Sequence, residues 1–250
     1  AYDNALVAVR IAEHPDVLLP VLGSQDGYTV THSVERVDVL PDEEAKKFVG
    51  KYIPEFSLLD TQNPVTFGPL ISPEHAFELK LQGIEAMRNA EAIIEKVGEE
   101  FTSLTGRSLD PVELYRMEDS ELAMVVIGSV AGAARVAVDR LRSDGIKAGL
   151  VKIRAYRPFP SLRICEVLAG RKGVAVLDRA LSPGAPYSPL YGDICSALYS
   201  HGVILPLASF VYGIGGRDTY PAQIVDAFHR LEHESKLGTP IPQTSYLGIT

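Results

Sequence analysis

The chain has 250 residues, 46% hydrophobic and 22% charged, which is enough apolar material for one or two packed domains and excludes a disordered, highly charged polypeptide. A net charge of -8 and a sequence pI near 5.3 argue against a nucleic-acid-binding face and suit a protein working among small acids or other proteins. Cys165 and Cys195 are too few for a disulfide framework or a cysteine-ligated cluster, and no apolar run approaches the roughly 20 residues that span a bilayer, so a reducing cytoplasm is the expected compartment.

The chain opens Ala1-Tyr2-Asp3-Asn4 without an initiator Met and enters a helical pattern at once, through Ala5, Leu6, Val7, Val9, Ile11 and Ala12. Further polypeptide is expected upstream. Val17-Leu18-Leu19-Pro20-Val21-Leu22 is a short apolar run that predicts a buried parallel strand, ending at the turn-rich Gly23-Ser24-Gln25-Asp26-Gly27. Pro41 followed by Asp42, Glu43 and Glu44 predicts a helix start, because proline suits the first turn and acids favour the positive end of the helix dipole.

Residues 51–73 form a connector broken by Pro54, Pro64, Pro69 and Pro73, with Ile53, Phe56, Leu58, Leu59, Val65 and Phe67 mixed in. That composition predicts an extended strap lying on a surface. Ser72-Pro73-Glu74 then opens a long helix that ends at Gly106. Phe77, Leu81, Ile84, Met87, Ile94, Val97, Phe101 and Leu104 give it one apolar face, which predicts that it covers a neighbour.

From residue 121 to 233 strands alternate with helices. The predicted strands are Ala123–Ile127, Gly149–Ile153, Val174–Leu177 and Leu205–Val211; the helices are roughly 130–143, 161–169, 188–200 and 221–233. The alternation predicts an α/β fold with a parallel sheet covered by helices on both faces. The polar tail 234–250 is expected to be a surface arm.

Three loops could carry chemistry. Gly128-Ser129-Val130-Ala131-Gly132 follows a strand and opens a helix, where amides can cradle phosphate, but it is neither G-x-G-x-x-G nor a Walker A motif, so a tight structural turn is preferred. Gly213-Ile214-Gly215-Gly216-Arg217-Asp218 allows close backbone approach, and Arg217 could clamp a carboxylate or pair with Asp218 across an interface. Asp178-Arg179, followed by Ser182-Pro183-Gly184-Ala185-Pro186, ends another strand. Ligands of open parallel sheets bind beyond the carboxyl ends of the strands, so Ser129, Asp178, Arg179, Gly216 and Arg217 are candidates for one rim facing a ligand or a partner. Among six histidines none has metal-ligand spacing, and only His32, close after Asp26-Gly27, lies near a suggestive loop. No catalytic, cofactor-binding or metal-ligating residue is assigned; Asp26, His32, Ser129, Asp178, Arg179, Gly216, Arg217 and Asp218 stand as rim or interface candidates.

An ordered series of strings resembles the α subunit of pyruvate:ferredoxin oxidoreductases. The strings are Leu18-Leu19-Pro20-Val21, Asp26-Gly27 with Thr31-His32-Ser33-Val34-Glu35, Asn63-Pro64-Val65-Thr66-Phe67-Gly68-Pro69, and Gly128 through Ala134. Arg154-Ala155-Tyr156-Arg157-Pro158-Phe159-Pro160 is the most specific, and Val176-Leu177-Asp178-Arg179 and Tyr212 through Asp218 complete the set. The resemblance implies a 2-oxoacid, most simply pyruvate, oxidised and decarboxylated on thiamine diphosphate with Mg2+. Electrons leave through [4Fe-4S] clusters to ferredoxin, and the acyl group passes to coenzyme A. It also implies residues 1–50 as the C-terminal remnant of the thiamine-enzyme first domain, 51–73 as connector, 74–106 as a long helix, and 107–233 as a transketolase C-terminal-like domain that builds subunit contacts.

The family's substrate and thiamine contacts are expected upstream, its metal and cluster ligands in other domains or subunits, and its partners are the other subunits of the enzyme. Another 2-oxoacid (oxalate, branched-chain or aryl) and a non-catalytic assembly module are the alternatives. A free-standing nucleotide-binding domain would instead need a phosphate ligand at the Ser129 and Arg217 rim.

Overall fold

The computed structural model describes residues 1–236 and 244–249. The chain forms two compact units, one of residues 1–24 and 34–109, the other of residues 25–33 and 110 onward.

The first unit is helical. Helix α1 (Tyr2–Ala12) has Asp3 in its first turn and Arg10 in its last, charges that complement the helix dipole. Helix α2 (Asp42–Val49) starts after Pro41 with three acids in its first turn. Helix α3 (Pro73–Thr105) begins with proline after Ser72 and stops at Gly106, whose φ of 71° is the left-handed conformation that ends helices. Their shared core is small: Ile11, Phe48, Val97, Phe101 and Leu109. Phe48 meets Phe101 edge-on at 5.2 Å between ring centres. Around it Arg107 grips Asp3 with two hydrogen bonds of 3.0 and 2.8 Å, and Arg10 donates to the Phe48 carbonyl at 2.7 Å and to Glu100.

Three expectations for this unit change. Val17–Leu22 is not a strand. The N–H groups of Val17 and Leu18 both donate to the His14 carbonyl, at 2.9 and 3.0 Å, and Leu18 has a φ of 45°, so the run opens as a turn. A strand needs a ladder partner, and none of the described residues supplies one here. The described regular elements of this unit are the three helices. The connector is irregular, but its apolar side chains lie open: Ile53 is 78% exposed and Leu59 91%. In α3 only the C-terminal half is covered, through Ala90, Val97, Gly98 and Phe101. The N-terminal half leaves Phe77, Leu81, Ile84 and Met87 exposed, because the α1 and α2 side chains of the core meet α3 only near Val97 and Phe101.

The second unit is the α/β body. Its strands are β1 (Val112–Tyr115), β2 (Leu122–Ile127), β3 (Ala148–Ile153), β4 (Gly173–Asp178), β5 (Leu207–Val211) and β6 (Ser245–Tyr246), arranged in the order β1-β3-β2-β4-β5-β6. Helices α4 (Ala131–Ser143), α5 (Ser161–Leu168), α6 (Pro189–Ser200) and α7 (Pro221–Lys236) cover it. The two-residue period of a strand sorts the side chains. Leu122, Met124 and Val126 of β2 face α4 and α7 with Ala175 and Leu177 of β4; Ala123 and Val125 face α5 and α6 with Val174 and Val176. Burial on both faces explains why these strands are continuous apolar runs.

The four predicted strands and four helices of this unit are present. Two edge strands were not foreseen. Strand β1 runs antiparallel to β3, so the sheet is mostly rather than wholly parallel. In the tail, expected as a surface arm, 234–236 continue α7, and Ser245-Tyr246 pairs parallel to β5 at the sheet edge. The part of that expectation covering 237–243 and 250 lies outside the described residues. No described helix is long and apolar enough to cross a membrane.

Candidate functional site

The carboxyl ends of β2, β4 and β5 form one rim of the second unit, and a turn of residues 25–33 lies against it. Asp26 is the centre of this arrangement. Its Oδ1 accepts the backbone N–H groups of Tyr28 at 3.0 Å and Thr29 at 2.7 Å, the local turn that aspartate favours. Its Oδ2 accepts the Ser129 hydroxyl at 3.1 Å and Arg179 Nη1 at 2.6 Å. Arg179 Nε in turn donates to the Gly213 carbonyl at 3.0 Å. The Asp26 side chain is 9% exposed, against 41% for Arg179.

Each element places its residue for a local reason. Ser129 follows Gly128, whose φ of 80° turns the chain sharply out of β2 toward α4. Arg179 is the first residue past β4, and Gly213 lies two past the end of β5. Gly213 has a φ of 61°, and a Cβ there would come within 3.3 Å of Arg179 Nε, so the guanidinium approaches where a larger residue would crowd it.

The electrostatics define what this cluster can do. The two backbone N–H groups, followed by Ser129 and Arg179, hold the Asp26 carboxyl well below the usual carboxylate range. A carboxylate so fully hydrogen-bonded is a poor general base at neutral pH. The arrangement is a tie between three loops, not an acid–base pair.

The other rim candidates turn elsewhere. Asp178 accepts the Leu190 N–H at 2.7 Å, at the start of α6, on the opposite face of the sheet from the tie. Burial pushes its carboxyl up. Gly216 lies in the one-turn 3-10 helix Ile214–Gly216 with a φ of 86°. Arg217 donates to the Gly248 carbonyl, and the Asp218 carboxylate accepts the Tyr220 hydroxyl at 3.3 Å. His32 stacks on Tyr28 at 5.0 Å and lies 2.9 Å from the Thr31 hydroxyl, in the exposed part of the Asp26 turn. The predicted rim thus contains one connected group, Asp26, Ser129 and Arg179, with Asp178, Arg217 and Asp218 in separate contacts.

Two further groups had no clear signal in the sequence. Tyr156 and Arg157 both donate to Asp193 of α6, the latter at 2.9 Å, while the Arg157 guanidinium lies 4.0 Å above the Tyr156 ring. Their string was singled out, but its partner 36 residues on was not. Between the 180–188 loop, Val211, Thr244 and Tyr246 there is an open cavity of about 440 Å3 with a neutral lining that includes Ser182, Ser188 and Tyr187.

An iron–sulfur cluster, one of the groups implied by the resemblance, does not fit these residues. An iron–sulfur cluster takes about four thiolates. The chain has two cysteines, buried Cys165 and half-buried Cys195, and burial pushes both thiols up, away from the thiolate form. Among the described residues no three His, Cys, Asp or Glu side chains gather into a cluster that could hold a metal ion by themselves.

Two family models match the chain in order. "Pyruvate flavodoxin/ferredoxin oxidoreductase, thiamine diP-bdg" matches residues 1–99, and "Pyruvate:ferredoxin oxidoreductase core domain II" matches residues 120–224. Pyruvate synthase subunit PorA of Thermotoga maritima is 49% identical over 228 residues, covering 91% of this chain and 58% of that protein. Pyruvate synthase subunit PorA of Methanothermobacter thermautotrophicus is 35% identical over 236 residues, covering 94% and 60%. Ketoisovalerate oxidoreductase subunit VorA of Pyrococcus horikoshii is 34% identical over 218 residues, covering 87% and 55%. The chain thus spans somewhat more than half the length of these relatives.

Proposed function

The chain belongs to the pyruvate:ferredoxin oxidoreductase family, and on that premise we propose that it is part of the α subunit of a thiamine-diphosphate-dependent enzyme that oxidises and decarboxylates pyruvate to acetyl-CoA and CO2. Ferredoxin is the electron acceptor, and the other subunits are the chain's partners. The observation that carries this reading is the 49% identity to a pyruvate synthase subunit over 91% of the chain.

Within that enzyme the chain's residues build and hold surfaces. The thiamine ring, the clusters and coenzyme A supply the carbanion, electron and acyl-transfer chemistry. Among the described residues no three His, Cys, Asp or Glu side chains form a metal-binding group. Support for a contact role comes from the first unit, where Phe77, Leu81, Ile84 and Met87 of α3 and the connector residues Phe56, Leu59 and Phe67 are all exposed. Exposed apolar side chains in this number suit surfaces that a partner covers.

The expected outcome is that the purified chain alone does not reduce viologen with any 2-oxoacid, and that reduction appears when the partner polypeptides are added. Activity of the isolated chain would overturn the reading. A branched-chain substrate is the second reading, because identity to the ketoisovalerate subunit, 34%, equals that to the Methanothermobacter thermautotrophicus pyruvate subunit within one per cent. Comparing pyruvate with 2-ketoisovalerate in the assembled enzyme decides between them, and pyruvate is expected to give the higher kcat/KM.

A further inference from the structure

We propose that Ser129 and Arg179 form a socket for a small carboxylate at the carboxyl ends of β2 and β4, and that Asp26 occupies it as a tethered ligand that a free acid displaces. The sheet order places the socket. Strand β2 lies between β3 and β4, so the chain leaves β2 to one side and returns to the other. The two connections, through α4 and α5, pack on opposite faces of the sheet. In open parallel sheets this reversal is where a crevice forms and where ligands bind. Ser129 follows the end of β2 there, and Arg179 follows the end of β4.

What reaches this point from residues 25–33 is one side chain. Asp26 alone is shielded from solvent; every other residue of the turn is exposed, Tyr28 at 77%. The turn holds its own shape. The Thr31 hydroxyl donates to the Gly27 carbonyl at 2.5 Å, the Ser33 hydroxyl to the Thr29 carbonyl at 2.9 Å, and the His32 N–H to the Tyr28 carbonyl at 3.0 Å. The two Asp26 oxygens have separate tasks. Oδ1 accepts the turn's own amides, while Oδ2 meets Ser129 and Arg179. No apolar side chain of the turn is buried, so the turn is seated by a charge rather than by packing.

The socket is set by contacts that do not involve its occupant. Arg179 Nε donates to the Gly213 carbonyl at 3.0 Å, and Ser129 is placed by the positive φ of Gly128. The Arg179 side chain is 41% exposed, within reach of a ligand from solvent. A guanidinium and a hydroxyl that converge on one oxygen suit a carboxylate. A free acid brings both of its oxygens, where Asp26 uses one for its own turn. Against this stands the tether, since an occupant joined by a short chain acts at an effective concentration of about millimolar. A free acid competes with that occupant, and removal of Asp26 unmasks its full affinity.

The test uses the whole 250-residue chain, with sodium acetate as the probe and sodium chloride at equal ionic strength as the reference. The readouts are the Arg179 Nε–H and Ser129 amide signals in 15N NMR. In Asp26→Ala, acetate should move both signals saturably, with an affinity about tenfold tighter than in the unaltered chain. Adding Arg179→Met to Asp26→Ala should abolish the Ser129 response. The unaltered chain supplies a measurement that needs no variant: acetate should move the Arg179 Nε–H signal and the 13C signal of the Asp26 carboxyl together, as one acid replaces the other. If those two signals stay where chloride leaves them, the proposal is overturned, whether or not Asp26→Ala folds. Equal acetate affinity with and without Asp26 would also overturn it, because Asp26 would then be no competitor. Inorganic phosphate binding more tightly than acetate at Arg179 would sink the assignment to a carboxylate.

Discussion

Asp26 and Asp178 are carboxylates at the same rim, yet their surroundings pull them in opposite directions. Asp26 receives four donors and is held ionised; Asp178 is partly buried, with the Leu190 N–H as a close donor, and is driven toward its neutral form. The signs follow by linkage from an ordinary aspartate value of about 3.9. The stabilisation from Asp26 is complete above that value and is lost as pH falls toward the folded carboxyl's lower one. Asp178 behaves oppositely: its charged form carries the burial cost, so its contribution improves as pH falls through its raised value. Asp26→Asn should therefore flatten the acid side of the stability curve, and Asp178→Asn should remove a gain on acidification. Denaturant unfolding of the two variants between pH 3 and 7 checks both signs. Hydrogen exchange adds a local readout: the Tyr28 and Thr29 amides, bonded to Asp26 in the native chain, should exchange faster in Asp26→Asn than neighbouring strand amides do.

At the scale of elements, α3 offers two glycines with opposite expectations. A Cβ at Gly83 meets nothing within 4 Å, whereas at Gly98 it would lie 2.8 Å from the Leu109 carbonyl oxygen. Alanine at an open helix position gains up to about 1 kcal/mol over glycine, so Gly83→Ala should stabilise by a few tenths to that amount. At Gly98 the backbone must yield, and overpacking of this kind costs about 1–3 kcal/mol, which exceeds the propensity gain. Urea midpoints should move up for Gly83→Ala and down for Gly98→Ala; a rise in both would mean that the 106–109 turn shifts freely.

The same helix shows what was legible in the sequence. Its ends were plain from Ser72-Pro73 and Gly106, because caps are local chemistry. The buried strands of the second unit were plain because both faces demand apolar residues. Val17–Leu22 misled, since an apolar run does not say whether a ladder partner exists. Strand β1, with only Val112 buried in Val-Glu-Leu-Tyr, and the two-residue β6 were too short to signal. At the rim, Asp26 and Arg179 were both nominated by their turns, but their contact joins residues 153 apart and depends on the folded topology.

For the whole molecule, the two units differ greatly in how much they bury. The core cluster of the first unit holds five buried side chains, while the second unit has two extensive layers on either side of its sheet. Apolar burial contributes about 1.5–3 kcal/mol per fully covered large side chain, opposed by the entropy of ordering every residue, and a small core leaves little surplus. The first unit should therefore unfold at lower temperature than the second. Calorimetry of the whole chain is expected to show two transitions, the lower one belonging to α1, α2 and α3. Phe101, at 0% exposure, identifies which is which. Phe101→Ala should cost about 3–5 kcal/mol. That loss should lower or abolish the first transition and leave the second in place. A single cooperative transition that moves as a whole with Phe101→Ala would show that the units fold as one body. If partner polypeptides cover the open apolar side chains of α3 and the connector, their addition should raise the lower transition selectively, since a partner that binds only the folded unit stabilises it by mass action.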